Sequence, residues 1–323
     1  MPVLTVVVPA FNESEGLREF HRRLTSVLDG MTDLDCAVLY VDDGSRDDTW
    51  AIMCALREGD PRVATLRLAR NFGKELALTA GLDHVTEGGA VVIDADLQDP
   101  PELIPDFVAH WRDGFDVIYG TRATRAGESG LKKLTASGFY RIMERLSTTP
   151  IPRDTGDFRL LSRRVLDALG QVRERQRFMK GLFTWVGFRQ LSVVYHRDPR
   201  HAGQTKWNYW KLWNFAVEGI TSFSTVPLRL ATYCGIGIAV IAFAYAGWIF
   251  YKTLAYGDPV KGYPSLMVVV LFLGGGQLIG IGVLGEYLGR MFNETKNRPL
   301  YFLNEHSPSA LGRAARDPEV GHD

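Results

Sequence analysis

Residues 90–101, AVVIDADLQDPP, hold the reading that decides the fold. An uninterrupted apolar run, Ala90 to Ile93, ends in Asp94-Ala95-Asp96 and is followed by two prolines that open the next segment, PPELIPDFVAHWRDG. A short run of this kind, bounded by turn residues, reads as a strand buried on both faces. Three more lie upstream: LTVVVPA at 4–10, CAVLYVDD at 36–43 and RVATLRLA at 62–69. Helical periodicity fills the gaps, with Leu17, Phe20, Leu24 and Leu28 on one face of the first interval. Strands alternating with helices predict a doubly wound α/β sheet, Rossmann-like and mostly parallel. Ligands of such sheets bind beyond the carboxyl ends of the strands. Polar residues gather at those ends: Asn12-Glu13 after the first strand, Asp42-Asp43 after the second, Asp94 and Asp96 after the fourth.

No GxGxxG and no GxxxxGK[ST] occurs, so the usual glycine-rich phosphate cradles are missing. Carboxylates stand there instead, and they would repel a diphosphate unless a divalent cation came between. Asp94-Ala95-Asp96 offers two hard oxygen ligands on a tight turn, and Mg²⁺ commonly takes one or two protein carboxylates plus phosphate oxygens. An acidic turn at a strand end also serves simply as a solvated turn; the place of this one in the sheet favours the metal. Lys+Arg and Asp+Glu both number 37 in 323 residues, a balance that argues against nucleic acid as partner. Cys36, Cys54 and Cys234 form no CxxC, so neither a disulfide framework nor a structural zinc site is indicated.

The second half is differently built. Leu230 to Tyr251 is 22 residues without a charge, and Gly262 to Gly285 is 24 with only Gln277 strongly polar. About 20 apolar residues as helix span a bilayer core. The connector Lys252 to Lys261 contains Gly257-Asp258-Pro259, turn chemistry suited to a helical hairpin. Trp207, Trp210, Trp213, Val217 and Ile220 recur at helical spacing just upstream. That stripe suits the lipid headgroup region, and packing on the polar domain is the other reading. The expected organisation is a polar domain over 1–204, juxtamembrane helices over 205–227, spans at 228–252 and 262–289 joined by an external loop at 253–261, and a tail over 290–323. The tail from Ser307 reads as disordered. With no signal peptide ahead of the polar domain, both ends are expected in the cytoplasm. Small-residue clusters at 235–239 and 274–282 would permit close helix approach, within the hairpin or between protomers, or admit a lipid chain.

The blocks VVVPAFNE, VDDGSRDDT, RNFGKELALTAGL and DADLQDPPELI resemble the signature blocks of family 2 glycosyltransferases, and more narrowly the polyprenyl-phosphate sugar transferases. GTR at 120–122, DTGDFRL at 154–160, QRFMKG at 176–181, RHAGQTK at 200–206 and the two apolar runs extend the likeness to the bacterial undecaprenyl-phosphate glucosyltransferases of the GtrB type. The resemblance implies a GT-A catalytic domain, Mg²⁺ or Mn²⁺, a nucleotide-sugar donor, a polyprenyl (undecaprenyl) phosphate acceptor, transfer with inversion, a place in the bacterial inner membrane and a homotetramer. It implies donor contacts at Pro9, Phe11, Glu13, Val41, Asp43, Asp94, Ala95, Asp96, Arg122, Arg200 and Lys206. It further implies metal ligands at Asp94, Asp96 and Gln98, and acceptor-phosphate contacts at Arg122, Lys133, Ser137 and Arg200. The family's proposed base falls on Asp157, although a phosphate monoester with a second pKa near 6 is already mostly ionised at neutral pH. UDP-glucose is the first choice of donor, with GDP-mannose, UDP-galactose or a modified UDP-sugar as alternatives. A processive synthase would show QxxRW, which is missing after Gln176, and an inert scaffold would have no need of clustered carboxylates. Arg159, Arg163 and Arg164 are expected on a solvated or lipid-facing rim. For Lys74, a phosphate contact and a surface position at a helix start are equally open.

Overall fold

The four apolar runs are strands: β1 (Val3–Ala10), β2 (Asp35–Asp42), β3 (Val63–Leu68) and β4 (Gly89–Val92). The helices between them are α1 (Leu17–Asp29), α2 (Thr49–Gly59) and α3 (Lys74–Asp83). A 3-10 turn at Pro101–Leu103 leads into α4 (Ile104–Arg112), as the paired prolines suggest. Then come β5 (Val117–Arg122), β6 (Thr155–Leu161), α5 (Arg163–Gln171), α6 (Met179–Trp185) and β7 (Gln190–Tyr195). Two long helices follow, α7 (Val226–Tyr256) and α8 (Tyr263–Thr295), and finally β8 (Leu303–Ser307). This computed structural model describes residues 3–122, 155–175, 177–195, 226–256 and 262–309.

The eight strands form one sheet in the order β7-β5-β6-β4-β1-β2-β3-β8. β1 pairs in parallel with both β2 and β4, and β3 with β2, which gives the doubly wound half. The remainder makes the sheet mixed. β6 lies antiparallel between β4 and β5, and β7 runs parallel to β5. Along β1 the side chains of Leu4, Val6 and Val8 join Phe20 and Leu24 of α1 and Phe107 of α4 in the main core, all fully buried. Val7 faces the other way, toward α3. There Gly81 lets the helix settle: a Cβ at this position would lie 2.4 Å from Val7 Cγ1 and 3.1 Å from Val41 Cγ2. Burial of both sheet faces explains why the strands read as continuous apolar runs rather than alternating ones.

The C-terminal segment departs from expectation. Residues up to 309 are not a free tail. β8 pairs antiparallel with β3, Thr65 opposite Ser307, so that β3 is not an open edge. Ala69 N–H donates to the carbonyl of Phe302 (2.9 Å), and Tyr301 Oη donates to Asp83 of α3 (2.9 Å). The chain therefore leaves the sheet unit for the two long helices and rejoins it from residue 298.

α7 and α8 form the other unit. Both run past the expected boundaries, α7 to Tyr256 and α8 to Thr295, while 257–261 lies outside the described residues. A Cβ on Gly276 would come within 3.3 Å of Ile238 Cδ1, which places one of the small-residue clusters at the contact between the two helices. Outward, large apolar side chains stand exposed, Phe243 by 80% and Ile241 by 71%. Among the described residues, no helix is long and apolar enough to cross a membrane; several apolar side chains inside α7 and α8 lie outside that set. The Trp207–Ile220 stripe lies outside the described residues too.

Gly81→Ala is expected to destabilise the sheet unit by about 1–3 kcal/mol through overpacking, measured as a lower midpoint of denaturation. Combined with Val7→Ala, which removes the clashing methyl, the loss is expected to fall below the sum of the two single variants.

Candidate functional site

The strand ends at the carboxyl edge are stitched into one platform. After β1, Asn12 N–H donates to Ser45 Oγ (2.9 Å) and Glu13 N–H to Thr49 Oγ1 (2.9 Å), while Asn12 Oδ1 accepts from Arg46 N–H (2.9 Å). These bonds join VPAFNE to the DDGSRDDT loop that follows β2. That loop is joined in turn to the one after β3: Asp43 accepts from Phe72 N–H (2.7 Å) and Gly73 N–H (2.9 Å). Gly44 is required here, with φ +69° and room for no Cβ, which would lie 2.6 Å from the carbonyl carbon of Arg70. Asn12 and Leu97 also hold positive φ, 56° and 59°. A buried leucine in that conformation, directly after Asp94-Ala95-Asp96, marks backbone strain of the kind that collects at functional sites.

The platform walls a cavity of about 270 Å³ at the switch point between β1 and β4. Pro9, Phe11, Glu13, Asp43, Asp94, Ala95 and Asp96 line it, joined by Asn71, Gly73 and Lys74. Phe11 is 40% exposed, an aromatic face at the site. Val41 differs from the other expected donor contacts. It is fully buried and its side chain packs toward Gly81, so it belongs to the core beneath the cavity. Gln98 is buried, and its backbone N–H donates to Asp96 Oδ1 (3.1 Å), which shapes the turn. Tyr195 of β7 donates to Asp99, tying the same turn to the far strands.

Asp157 comes from β6, far along the chain, yet it meets Asp94 at one cation. Lys74 Nζ, on the first residue of α3, lies 2.7 Å from Asp94 Oδ2 and 2.5 Å from Asp157 Oδ2. Lys74 does open a helix, with its side chain 46% exposed, and in addition it bridges two carboxylates. Asp157 Oδ1 is buried with no hydrogen-bond partner among the described residues. Around it stand Arg159, whose guanidinium donates to Gly156 O (2.9 Å) and lies 4.0 Å over the ring of Phe183, and Lys180, which donates to Thr155 O (3.1 Å). Arg159 is thus a buried side chain and not part of a rim. Arg164 does lie at the surface, and Arg163 pairs with Asp167 (2.7 Å).

The charges settle one another. Burial would raise the pKa of Asp157, but Lys74 first, then Lys180 and Arg159, outweigh it and hold the carboxyl well below its ordinary range. Burial raises Asp94, which Lys74 only partly offsets. Burial also pushes Arg159 down to about 10 and lowers Lys180. Glu75, next to Lys74, accepts from Met179 N–H (3.0 Å), and burial with the nearby Asp157 charge pushes it up to about 7. Glu75, Lys180 and Arg159 were not singled out from sequence as site residues. Their only signal was membership of the blocks NFGKE, QRFMKG and GDFRL.

A divalent cation would be held here by carboxylates completed by phosphate oxygens. Among the described residues no three His, Cys, Asp or Glu side chains form a metal cluster. Asp94 and Asp157 nevertheless already converge on a cation, and one or two carboxylates completed by phosphate oxygens is a common Mg²⁺ arrangement. The backbone of Arg122 ends β5, but its side chain lies outside the described residues, as do Lys133, Ser137, Arg200 and Lys206.

Glu75 gives a pH prediction. Its folded pKa near 7 lies above the unfolded value near 4.5, so it contributes a loss of stability as pH rises through that window, at most about 3 kcal/mol. Glu75→Gln is expected to match the parent protein at acid pH and to become relatively more stable from pH ~4.5 to ~7, a difference readable by denaturant titration across pH.

Residues 5–170 match the family described as glycosyl transferase family 2, and residues 226–291 match the GtrB C-terminal hairpin. The chain is 49% identical over 302 residues to an uncharacterized glycosyltransferase of Synechocystis, covering 94% of this chain and 95% of the relative. It is 47% identical over 302 residues to the SfII prophage-derived bactoprenol glucosyl transferase of Shigella flexneri, covering 94% and 97%. It is 42% identical over 316 residues to the uncharacterized glycosyltransferase YkcC of Bacillus subtilis, covering 98% of each. A family match over more than half of the chain and relatives matched over nearly their whole length show that the chain belongs to the family 2 glycosyltransferases.

Proposed function

We propose that the protein transfers glucose from UDP-glucose to undecaprenyl phosphate, making a lipid-linked sugar for modification of cell-surface glycan. The observation that carries this reading is the meeting of Asp94 and Asp157 on one cation beside a cavity at the sheet's carboxyl edge. Identity of 47% across nearly the whole length of a bactoprenol glucosyl transferase supports the choice of sugar and acceptor.

In this reading Pro9, Phe11, Glu13 and Asp43 hold the nucleoside, and Asp94 and Asp96, with Gln98 behind them, hold Mg²⁺ or Mn²⁺. The metal supplies charge neutralisation for the leaving diphosphate. Arg122, Arg200 and Lys206 serve the donor phosphates; Lys133 and Ser137, with the two arginines, serve the acceptor. An oxygen of the lipid phosphate forms the new bond to the anomeric carbon as the bond from that carbon to the diphosphate oxygen breaks, inverting the centre. No strong base is needed, because the attacking phosphate is already largely ionised near neutrality. Asp157, held ionised by its cationic neighbours, then orients groups more than it collects a proton.

In this reading the hairpin holds the chemistry at a membrane. The uncharged runs 230–251 and 262–285 fall inside α7 and, apart from its first residue, α8. Their exposed phenylalanines and isoleucines suit lipid tails. Two crossings return the chain to the side it left, in keeping with β8 rejoining the sheet, and the sheet unit would face the cytoplasm where nucleotide-sugars are available.

The test is to incubate the protein with Mg²⁺, undecaprenyl phosphate and a panel of labelled nucleotide-sugars. Label is expected to enter the lipid phase from UDP-glucose; entry from another donor instead would overturn the choice of sugar, and long water-soluble polymer the choice of reaction. Asp94→Asn is expected to cut turnover at least about 100-fold. Asp157→Asn is expected to lower kcat by a factor that stays constant from roughly pH 6.5 to 8.5; a loss that shrinks as pH rises would restore the base role.

A further inference from the structure

The position of Lys74 asks for an explanation that metal binding alone does not give. Its ammonium holds the oxygens of Asp94 and Asp157 at 2.7 and 2.5 Å, from an α3 start fixed by the Asp43 bonds to Phe72 and Gly73. A divalent cation sharing Asp94 with it would meet a like charge at close range. The lysine and the metal therefore compete for the same carboxylate. The Lys74 side chain is also 46% exposed and lines the cavity beside Asp94 and Asp96. Rotation about its own stem would carry the ammonium from the carboxylates into that space without moving α3.

Resting on the donor and metal reading above, we propose that Lys74 is a built-in counter-ion that occupies the carboxylate site of the donor-free enzyme and passes to the donor diphosphate when a divalent cation replaces it. The exchange conserves charge pairing. Without donor, each carboxylate has the ammonium. With donor, Asp94 has the metal, Asp157 keeps the nearby charges of Lys180 and Arg159, and the anionic diphosphate supplies both further metal ligands and a new partner for the lysine. Metal alone gains only the carboxylates while leaving the ammonium without a partner, so metal and nucleotide are expected to bind as a pair. Lys74 then becomes a direct contact to the leaving group, and it keeps Asp94 and Asp157 from repelling each other between turnovers.

The experiment follows free Mn²⁺ by electron paramagnetic resonance while the full-length protein in detergent is titrated, first with Mn²⁺ alone and then with Mn²⁺ and UDP. The parent protein is expected to bind Mn²⁺ weakly alone and at least about tenfold more tightly with UDP. Lys74→Met is expected to tighten Mn²⁺ binding in the absence of nucleotide by about tenfold or more and to shrink the enhancement by UDP, whereas Lys74→Arg keeps the parent pattern. Circular dichroism on the same samples establishes that each variant is folded. Unchanged or weaker Mn²⁺ binding by folded Lys74→Met, with the parent protein still binding Mn²⁺ and UDP together, overturns the counter-ion role and leaves the proposed function standing. Failure of the parent protein to bind Mn²⁺ even with UDP removes the metal reading itself, and this inference with it.

Discussion

Carboxylates drawn to one point at the end of a sheet repel each other unless a cation sits among them, and the catalytic half of this protein is organised around that constraint. Asp94 follows β4, Asp157 lies within β6, and both turn toward the ammonium of Lys74. Lys180 and Arg159 extend the positive surroundings of Asp157, and Arg159 is itself steadied over the ring of Phe183. Such a cluster holds only if each charge has a neighbour of opposite sign, since an unpaired buried charge is costly. Asp157 is paired with Lys74 through Oδ2, while its Oδ1 is buried without a hydrogen-bond partner among the described residues.

The sheet delivers these residues because of its topology. β1 stands between β2 and β4, so the chain's direction of winding reverses there and a crevice opens at the carboxyl ends. The loops after β1, β2 and β3 are bound to one another through Ser45, Thr49 and Asp43. The cavity wall is therefore bound together even though it is made of loops. The antiparallel insertion of β6 beside β4 brings in Asp157.

In the proposed reading, the two long helices and the strand that follows them give the enzyme its relation to a lipid substrate. A water-borne nucleotide-sugar and a lipid phosphate can meet only at an interface, so a catalytic sheet joined at both ends to an apolar hairpin is an economical arrangement. β8 secures the return, with the Tyr301–Asp83 bond fastening the segment to α3.

Much of this was legible in the sequence for a local reason. Continuous apolar strands ending in polar residues are dictated by burial of both sheet faces, so β1 to β4, the cavity residues and the acidic turn could be placed from order and composition. The two uncharged runs were equally plain, because more than twenty residues in a row without a charge need apolar surroundings on every side of a helix. What the sequence could not display depends on distant pairing. LNEHS has no apolar alternation and becomes β8 only because β3 offers an edge. Val41 joins the core because α3 packs closely at Gly81. Arg159 is buried because β6 is sandwiched between two strands, and Lys74 bridges two carboxylates because β4 and β6, 63 positions apart at Asp94 and Asp157, lie side by side. Local pattern set which segments are strand, helix and apolar hairpin; which charges share a point in space was decided by strand order, since Coulomb energy depends on distance through the fold and not along the chain.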